Sequence, residues 1–332
     1  MRVLVTGGAG FIGSHVVDYL AEAGHTPVIF DVLPAAEAPP VAESVIGSIE
    51  DLDALFDAME GCDAVVHLAA VADVGDVDRE PVRAEAINSR GTMNVVEAVR
   101  RAGIPRLVYG STIWVYSDCP ETEVDEETPI AAPSHLYTVT KLAGEHYCRS
   151  HAERYDFEWT ILRFGIPYGP RAREAALLPL FVGKALRDEA LTIAGDGKQA
   201  RRFIYVEDLA RGVVASLAPV AANRIYNLCG SESTTVLQVA ERVRDLVGNT
   251  EIVMVPARPG DFGGKEVSNE RAAADLGWRP EVAFDEGARR YFEWRQERIG
   301  ATIERAGATS NGRVPAAGGR LERVLIVSAD IG

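Results

Sequence analysis

Val3-Leu4-Val5-Thr6-Gly7-Gly8-Ala9-Gly10-Phe11-Ile12-Gly13 decides the fold. A short apolar run ends in a glycine-dense turn and passes straight into Ser14 to Ala23, whose apolar residues recur at helical spacing. The order is strand, tight turn, helix. Glycines let the backbone turn sharply and approach a pyrophosphate with no Cβ in the way, while the helix N-terminus offers N–H groups and a positive dipole end. A second apolar run, Pro27-Val28-Ile29-Phe30, ends at Asp31, eighteen residues beyond Gly13. There a carboxylate meets the adenosine ribose hydroxyls and repels a 2′-phosphate, so these residues favour NAD over NADP.

The chain of 332 residues is long enough to bury a large core, and its alternating apolar runs and helical patterns predict one large α/β domain or such a domain with a smaller lobe. A formal charge of −15 argues against nucleic acid or an anionic membrane as partner, and leaves a phosphate-bearing ligand to locally placed arginines. Cys62, Cys119, Cys148 and Cys229 have no metal-ligand spacing, so no metal is expected and a reducing compartment suits them. No signal-peptide pattern precedes the first strand and no apolar run reaches the length of a membrane span. The expectation is a cytoplasmic protein.

Further along, Val32 to Pro40 reads as a surface loop, Leu52 to Met59 as a short amphipathic helix, and Ala64-Val65-Val66-His67-Leu68 as a buried parallel strand. His67 is expected to be a hydrogen-bonded core histidine. Ala69 and Ala70 are small, which fits a backbone pressed against a cofactor. Pro81 to Ala102 reads as one long helix, and Leu107-Val108-Tyr109 as a fourth strand with Gly110-Ser111-Thr112 at its carboxyl end. In an open parallel sheet the ligand crevice lies beyond that end, so Ser111 and Thr112 face it. Asp118 to Pro133, acidic and proline-bearing, is expected as a loop over the crevice.

Leu136 to about Tyr155 reads as a helix that stacks Tyr137 and Lys141, four apart, on one face. A phenol with a reference pKa near 10 is a poor base at neutral pH, and an adjacent ammonium, helped by an oxidised nicotinamide, favours phenolate. Such a group can take a proton from a sugar hydroxyl as hydride leaves the same carbon, with Thr112 bonding that oxygen. A fifth strand, Trp159 to Phe164, runs into the turn-rich Gly165 to Arg171 near the nicotinamide end, and the later elements suggest a lobe interleaved with the first sheet, the body ending near Arg298. Gly307 to Arg320 is a flexible linker by composition, and Arg323 to Gly332 starts another buried-type strand, as a second domain would.

From Met1 to about Arg298 the chain resembles the extended short-chain dehydrogenase/reductases, in particular the NAD-dependent nucleotide-sugar epimerases and dehydratases such as UDP-glucose 4-epimerase. The matching stretches are Thr6-Gly7-x-x-Gly10-x-x-Gly13, His67-Leu68-Ala69-Ala70, Asn88-x-x-Gly91-Thr92, Ser111-Thr112 with Val115-Tyr116, Tyr137-x-x-x-Lys141, Tyr168-Gly169-Pro170-Arg171, Gly195-Asp196-Gly197 with Arg201 and Tyr205-Val206-x-Asp208, and Arg258-Pro259-Gly260-Asp261. The resemblance implies a Rossmann-type doubly wound parallel sheet with a smaller α/β carboxyl-terminal lobe for a nucleoside-diphosphate sugar. Residues 1–165 would bind NAD, with parts of 200–230 returning to that sheet, and 166–298 would be mainly the substrate lobe.

The resemblance also implies roles. Tyr137 would be the base, Lys141 its modulator and nicotinamide-ribose anchor, and Thr112 the hydroxyl partner. NAD would be contacted by Gly7, Gly10, Phe11, Ile12, Gly13, Asp31, Ser48, Ile49, Leu68, Ala69, Ala70, Asn88, Tyr137, Lys141 and Pro167. Substrate would be contacted by Thr112, Tyr137 and Ile166, with Arg201 and Arg258 on its pyrophosphate, which guanidinium geometry suits. A homodimer is expected through the helices matching Pro81 to Ala102 and Ser134 to Tyr155. Arg323 to Gly332 resembles the opening of a glycosyltransferase of the monogalactosyldiacylglycerol synthase type, which implies a fused second enzyme.

Departures from the family pattern bear on the reaction. Dehydratases and decarboxylases of this group carry an acid two residues beyond the catalytic Ser/Thr, where this chain has Trp114. Water elimination then lacks its usual acid, so a C4 epimerisation of a UDP- or dTDP-sugar through a transient 4-keto sugar is favoured. The alternatives are a net NAD-dependent reductase or dehydrogenase on a nucleotide sugar, and a dinucleotide-sensing protein without chemistry. Ile166 stands where many members have a polar substrate contact, and Ser48 where an Asp commonly lies near adenine.

Overall fold

In the computed structural model, residues 1–248, 250–257 and 264–309 are described, the side chains of 301–309 excepted. Alternation of side chains along β1 (Arg2–Thr6) builds two layers at once. Val3 and Val5 enter one apolar cluster with Val16 and Leu20 of α1 (Phe11–Glu22), while Leu4 enters another on the opposite face with Leu55, Val95 and Val99. Helices therefore cover both faces of the sheet, which is why its strands are apolar throughout rather than alternating.

The sheet has seven strands, all parallel. β1 lies between β2 (Thr26–Asp31) and β4 (Ala64–His67); β3 (Glu43–Ile46) extends the β2 side; β5 (Arg106–Thr112), then Glu158–Phe164, then Arg224–Leu228 extend the other. The order reverses between β1 and β4, the place where an open parallel sheet offers a ligand crevice beyond its carboxyl ends. On one face α1 packs against the helix Val206–Ala215; on the other α2 (Leu52–Ala58) packs against α5 (Thr92–Ala102), and α5 against α6 (Leu136–Ala152). Short ladders join the carboxyl-terminal segments, Ile166–Tyr168 with Phe203–Tyr205 and Leu191–Ala194 with Ile252–Val255. Met1–Phe292 forms one compact unit and the residues from Glu293 a second.

Several local expectations need correction. The first helix begins at Phe11 rather than Ser14, because Gly10 takes the extended capping conformation. β3 is a strand the apolar pattern does not reveal: all four of its residues are exposed at the sheet edge, so nothing required them to alternate. The long helix from Pro81, which follows the short α3 (Val74–Arg79), is composite, with α4 (Pro81–Glu85) and α5 separated by a π-helical stretch, Ala86–Gly91, that buries Asn88 and Ser89. The acidic 118–133 segment is pinned by a two-residue strand, Glu123–Val124, paired with Glu266–Val267. The last body helix runs from Phe284 to Thr309, past the expected end near Arg298. The remainder of the expected linker, residues 310–320, and the strand Arg323 to Gly332 lie outside the described residues.

Candidate active site

The glycine turn lies at the point where the strand order reverses. Gly7 has φ +71°, and a Cβ on it would stand 2.8 Å from the Ala69 nitrogen. A Cβ on Gly13 would overlap the Gly7 carbonyl. No side chain caps the N-terminus of α1 at Gly10, and the first N–H groups of a helix, here those of Phe11, Ile12 and Gly13, have no partner within it. Space cleared of Cβ atoms beside unpartnered donors fits a pyrophosphate.

The neighbouring residues are held in place by their own bonds. Asp31, at the end of β2, accepts from Ala9 N at 3.0 Å and Leu33 N at 3.1 Å, which fixes its carboxylate beside the turn. The Ser48 hydroxyl accepts from Glu50 N at 3.2 Å, and Ile49 is buried against Gly91. Thr6 Oγ1 accepts from the N–H groups of Leu68 (3.3 Å) and Ala69 (3.4 Å), shaping the half-buried Leu68-Ala69-Ala70 strip. Asn88 reaches the crevice indirectly: its amide exchanges two bonds with Val71, at 2.7 and 2.9 Å, and donates to Thr140 Oγ1 at 3.2 Å.

At the end of β5 the buried Thr112 hydroxyl hydrogen-bonds Tyr137 of α6 and accepts from Trp114 N at 3.2 Å. Burial pushes the Tyr137 phenol up to about 12; the Thr112 bond and the Arg173 guanidinium pull the other way but do not overcome it. The phenol therefore needs further positive charge, such as an oxidised nicotinamide would bring. Lys141, only 5% exposed, places its Nζ 4.5 Å from the centre of the Tyr109 ring. Burial lowers its ammonium to about 8, with Glu145 and Cys148 opposing.

His67 is the core histidine the sequence suggested. Its Nδ1 lies 2.7 Å from Thr6 Oγ1 and its Nε2 2.9 Å from Thr92 Oγ1, and burial lowers its pKa to about 3. Two features escaped the sequence. Arg173, which bonds Asp73 at 3.2 Å, is the cation that bears on Tyr137. Ser111, expected to face the crevice beside Thr112, instead donates to Glu145 at 2.6 Å, and with Arg163 the two form a buried cluster behind the site; only the four-residue step from Lys141 to Glu145 could have hinted at it.

On the substrate side, a small pocket is walled by Ile113, Trp114, Ile166 and Arg201. The Arg201 guanidinium lies 6.0 Å from the centre of the Trp114 ring, and the His135 ring stands edge-on to the same indole at 6.0 Å. Ile166 N donates to Arg202 O at 2.9 Å, and the half-buried Pro167 follows in the same short strand. Arg258 lies outside the described residues. Among the described residues no group of three His, Cys, Asp or Glu could hold a metal, and no helix is long and apolar enough to cross a membrane.

Residues 3–229 match the model of the NAD dependent epimerase/dehydratase family. The chain is 32% identical to a UDP-glucose 4-epimerase of Yersinia pestis over 333 residues, covering 90% of this chain and 98% of that one. It is 30% identical to a dTDP-glucose 4,6-dehydratase of Streptomyces niveus, covering 90% and 93%. The crystal structure of UDP-glucose 4-epimerase from Thermus thermophilus in complex with NAD superposes with a TM-score of 0.81 at 32% identity, covering 89% of this chain and 99% of that one.

Proposed function

This chain belongs to the NAD-dependent epimerase/dehydratase family, with NAD as its cofactor, and we propose that it is a nucleotide-sugar epimerase that inverts C4 of a UDP- or dTDP-sugar. The observation that carries this reading is Trp114, an indole within 6.0 Å of both the His135 ring and the Arg201 guanidinium in the place of an acid, beside a Thr112 that hydrogen-bonds Tyr137. An indole N–H gives up no proton at working pH, so no residue at that position can protonate a leaving hydroxyl.

The cofactor, seated by Gly7, Gly10, Gly13 and Asp31, supplies a hydride acceptor that returns the hydride, and a positive charge that favours phenolate. Tyr137 takes the proton of the C4 hydroxyl as the C–H bond gives up its hydride, leaving a 4-keto sugar. Thr112 would hold the reacting oxygen, and Lys141, fixed over the Tyr109 ring one helical turn from Tyr137, would lend the phenolate its positive charge. The keto sugar then presents its other face, and Tyr137 gives the proton back. Arg201 would hold the pyrophosphate, anchoring the nucleotide while the sugar turns.

Incubation with a panel of UDP-, dTDP- and GDP-sugars, with chromatographic separation of products, tests this. The expected result is interconversion of a C4 pair with no net change in nicotinamide absorbance. A 6-deoxy-4-keto product, or stoichiometric NADH, overturns it.

A further inference from the structure

The cluster behind the site has a geometry that a simple brace does not need. Glu145 Oε1 accepts from Ser111 Oγ at 2.6 Å and from Arg163 Nε at 3.0 Å, and Oε2 accepts from Arg163 Nη2 at 2.8 Å. Arg163 and Glu145 are each 4% exposed. The remaining arm of Arg163, Nη1, donates to the Tyr116 hydroxyl at 2.8 Å, which donates to Asn227 Oδ1 at 2.9 Å. One carboxylate thus joins β5, α6 and the strand Glu158–Phe164, in which Arg163 is the register partner of Ser111. On β5 the residue it grips is next to Thr112; on α6 it stands one turn past Lys141 and two past Tyr137.

Burying an ion pair costs desolvation that packed apolar residues would avoid, so a brace alone gains little from these charges. The surroundings of Lys141 show what the charge does. Cys148 faces it from the same helix, Tyr109 from β5 and His67 from β4. Burial raises the thiol and the phenol and lowers the imidazole, so all three are neutral at working pH. Among the described residues, Glu145 is the anion that faces the ammonium, and it shares its charge with Arg163.

We propose that Glu145 is a positioning residue for the epimerase reaction: its carboxylate pins the strand end carrying Thr112 to the helix carrying Tyr137 and Lys141, and serves as counter-charge to the Lys141 ammonium. The proposal rests on the reading of the site given above. It makes two separable statements, one of geometry through Ser111 and one of charge through Lys141.

The sequence contains four lysines, 141, 184, 198 and 265, so protein labelled with 13Cε-lysine gives a spectrum simple enough to titrate, with Lys141→Met assigning the signal. In the wild type the Lys141 midpoint is expected at about 8. Glu145→Gln lowers that midpoint by about one unit and kcat by about tenfold, with KM and NAD binding little changed. Glu145→Asp, which keeps the charge, restores the midpoint. Ser111→Ala leaves the midpoint in place but lowers kcat. A midpoint unmoved in Glu145→Gln overturns the charge statement, and kcat unchanged in Ser111→Ala overturns the geometric one. Should Glu145→Gln not fold, Ser111→Ala still decides the geometric statement, and the wild-type titration decides the charge one: a Lys141 midpoint below about 7, with the ammonium lost at neutral pH despite Glu145, overturns it. Failure of the wild type to convert any nucleotide sugar would sink the proposed function separately, because the lysine titration needs no turnover.

Discussion

The Gly7 carbonyl oxygen occupies the space where a Cβ on Gly13 would have to go. The oxygen belongs to the backbone and a Cβ is held rigidly by it, so neither can swing aside as the end of a side chain could. Gly13→Ala must displace the turn or the start of α1, and NAD affinity measured by calorimetry is expected to fall by about a hundredfold or more, on the order of 3 kcal/mol. Affinity within threefold of wild type would show that the turn is not the cofactor cradle.

Tyr137 is the group placed to take the substrate proton. Tyr137→Phe keeps the ring and its packing and removes the hydroxyl bonded to Thr112. General-base catalysis of this kind contributes about 10²–10⁴-fold, so kcat in the epimerase assay should fall by that factor while NAD binding persists. Full turnover in this variant would remove Tyr137 from the mechanism.

Lys141 gives the rate an alkaline limit. Burial lowers its pKa to about 8, so the ammonium present at neutral pH is lost as pH rises through that value. The kcat profile is expected to bend down above pH 8. Lys141→Arg, whose guanidinium stays charged throughout, should lose rate at all pH values but show no such limb.

His67 makes the fold sensitive to acid. Its folded pKa of about 3 lies below the ordinary value of 6.5, so between those limits the unfolded chain binds a proton that the native one does not. The stability it contributes is whole above pH 6.5 and declines as pH falls, by about 1.4 kcal/mol per unit. Urea unfolding at pH 7, 5.5 and 4.5 should show a slope that His67→Gln makes shallower. Equal slopes in the two proteins would refute the assignment.

Much of the fold was legible because it is written locally. The glycine turn, the buried strands and the spacing of Tyr137 and Lys141 depend on residues close in sequence, where period and backbone freedom leave few choices. β3 was illegible because an exposed edge strand carries no apolar alternation, and the π-helical stretch at Ala86–Gly91 because one residue too many in a turn hardly alters helical period. At the candidate site, Arg173 could not be foreseen from its flanking residues, since its relation to Tyr137 and Asp73 exists only after its loop meets the start of α6 and the cap of α3.

The sequence by itself determined a parallel sheet with a dinucleotide turn and the chemical types gathered at the carboxyl end of β5, because short-range pattern and glycine geometry suffice for these. Only the tertiary structure decided that the Tyr137 phenol is driven up rather than down by its protein surroundings, and that Ser111, Glu145 and Arg163 share one buried carboxylate. Both outcomes are sums over residues far apart in the chain: desolvation and charge act through space, and no spacing along a sequence records how deeply a group will be buried or what will face it.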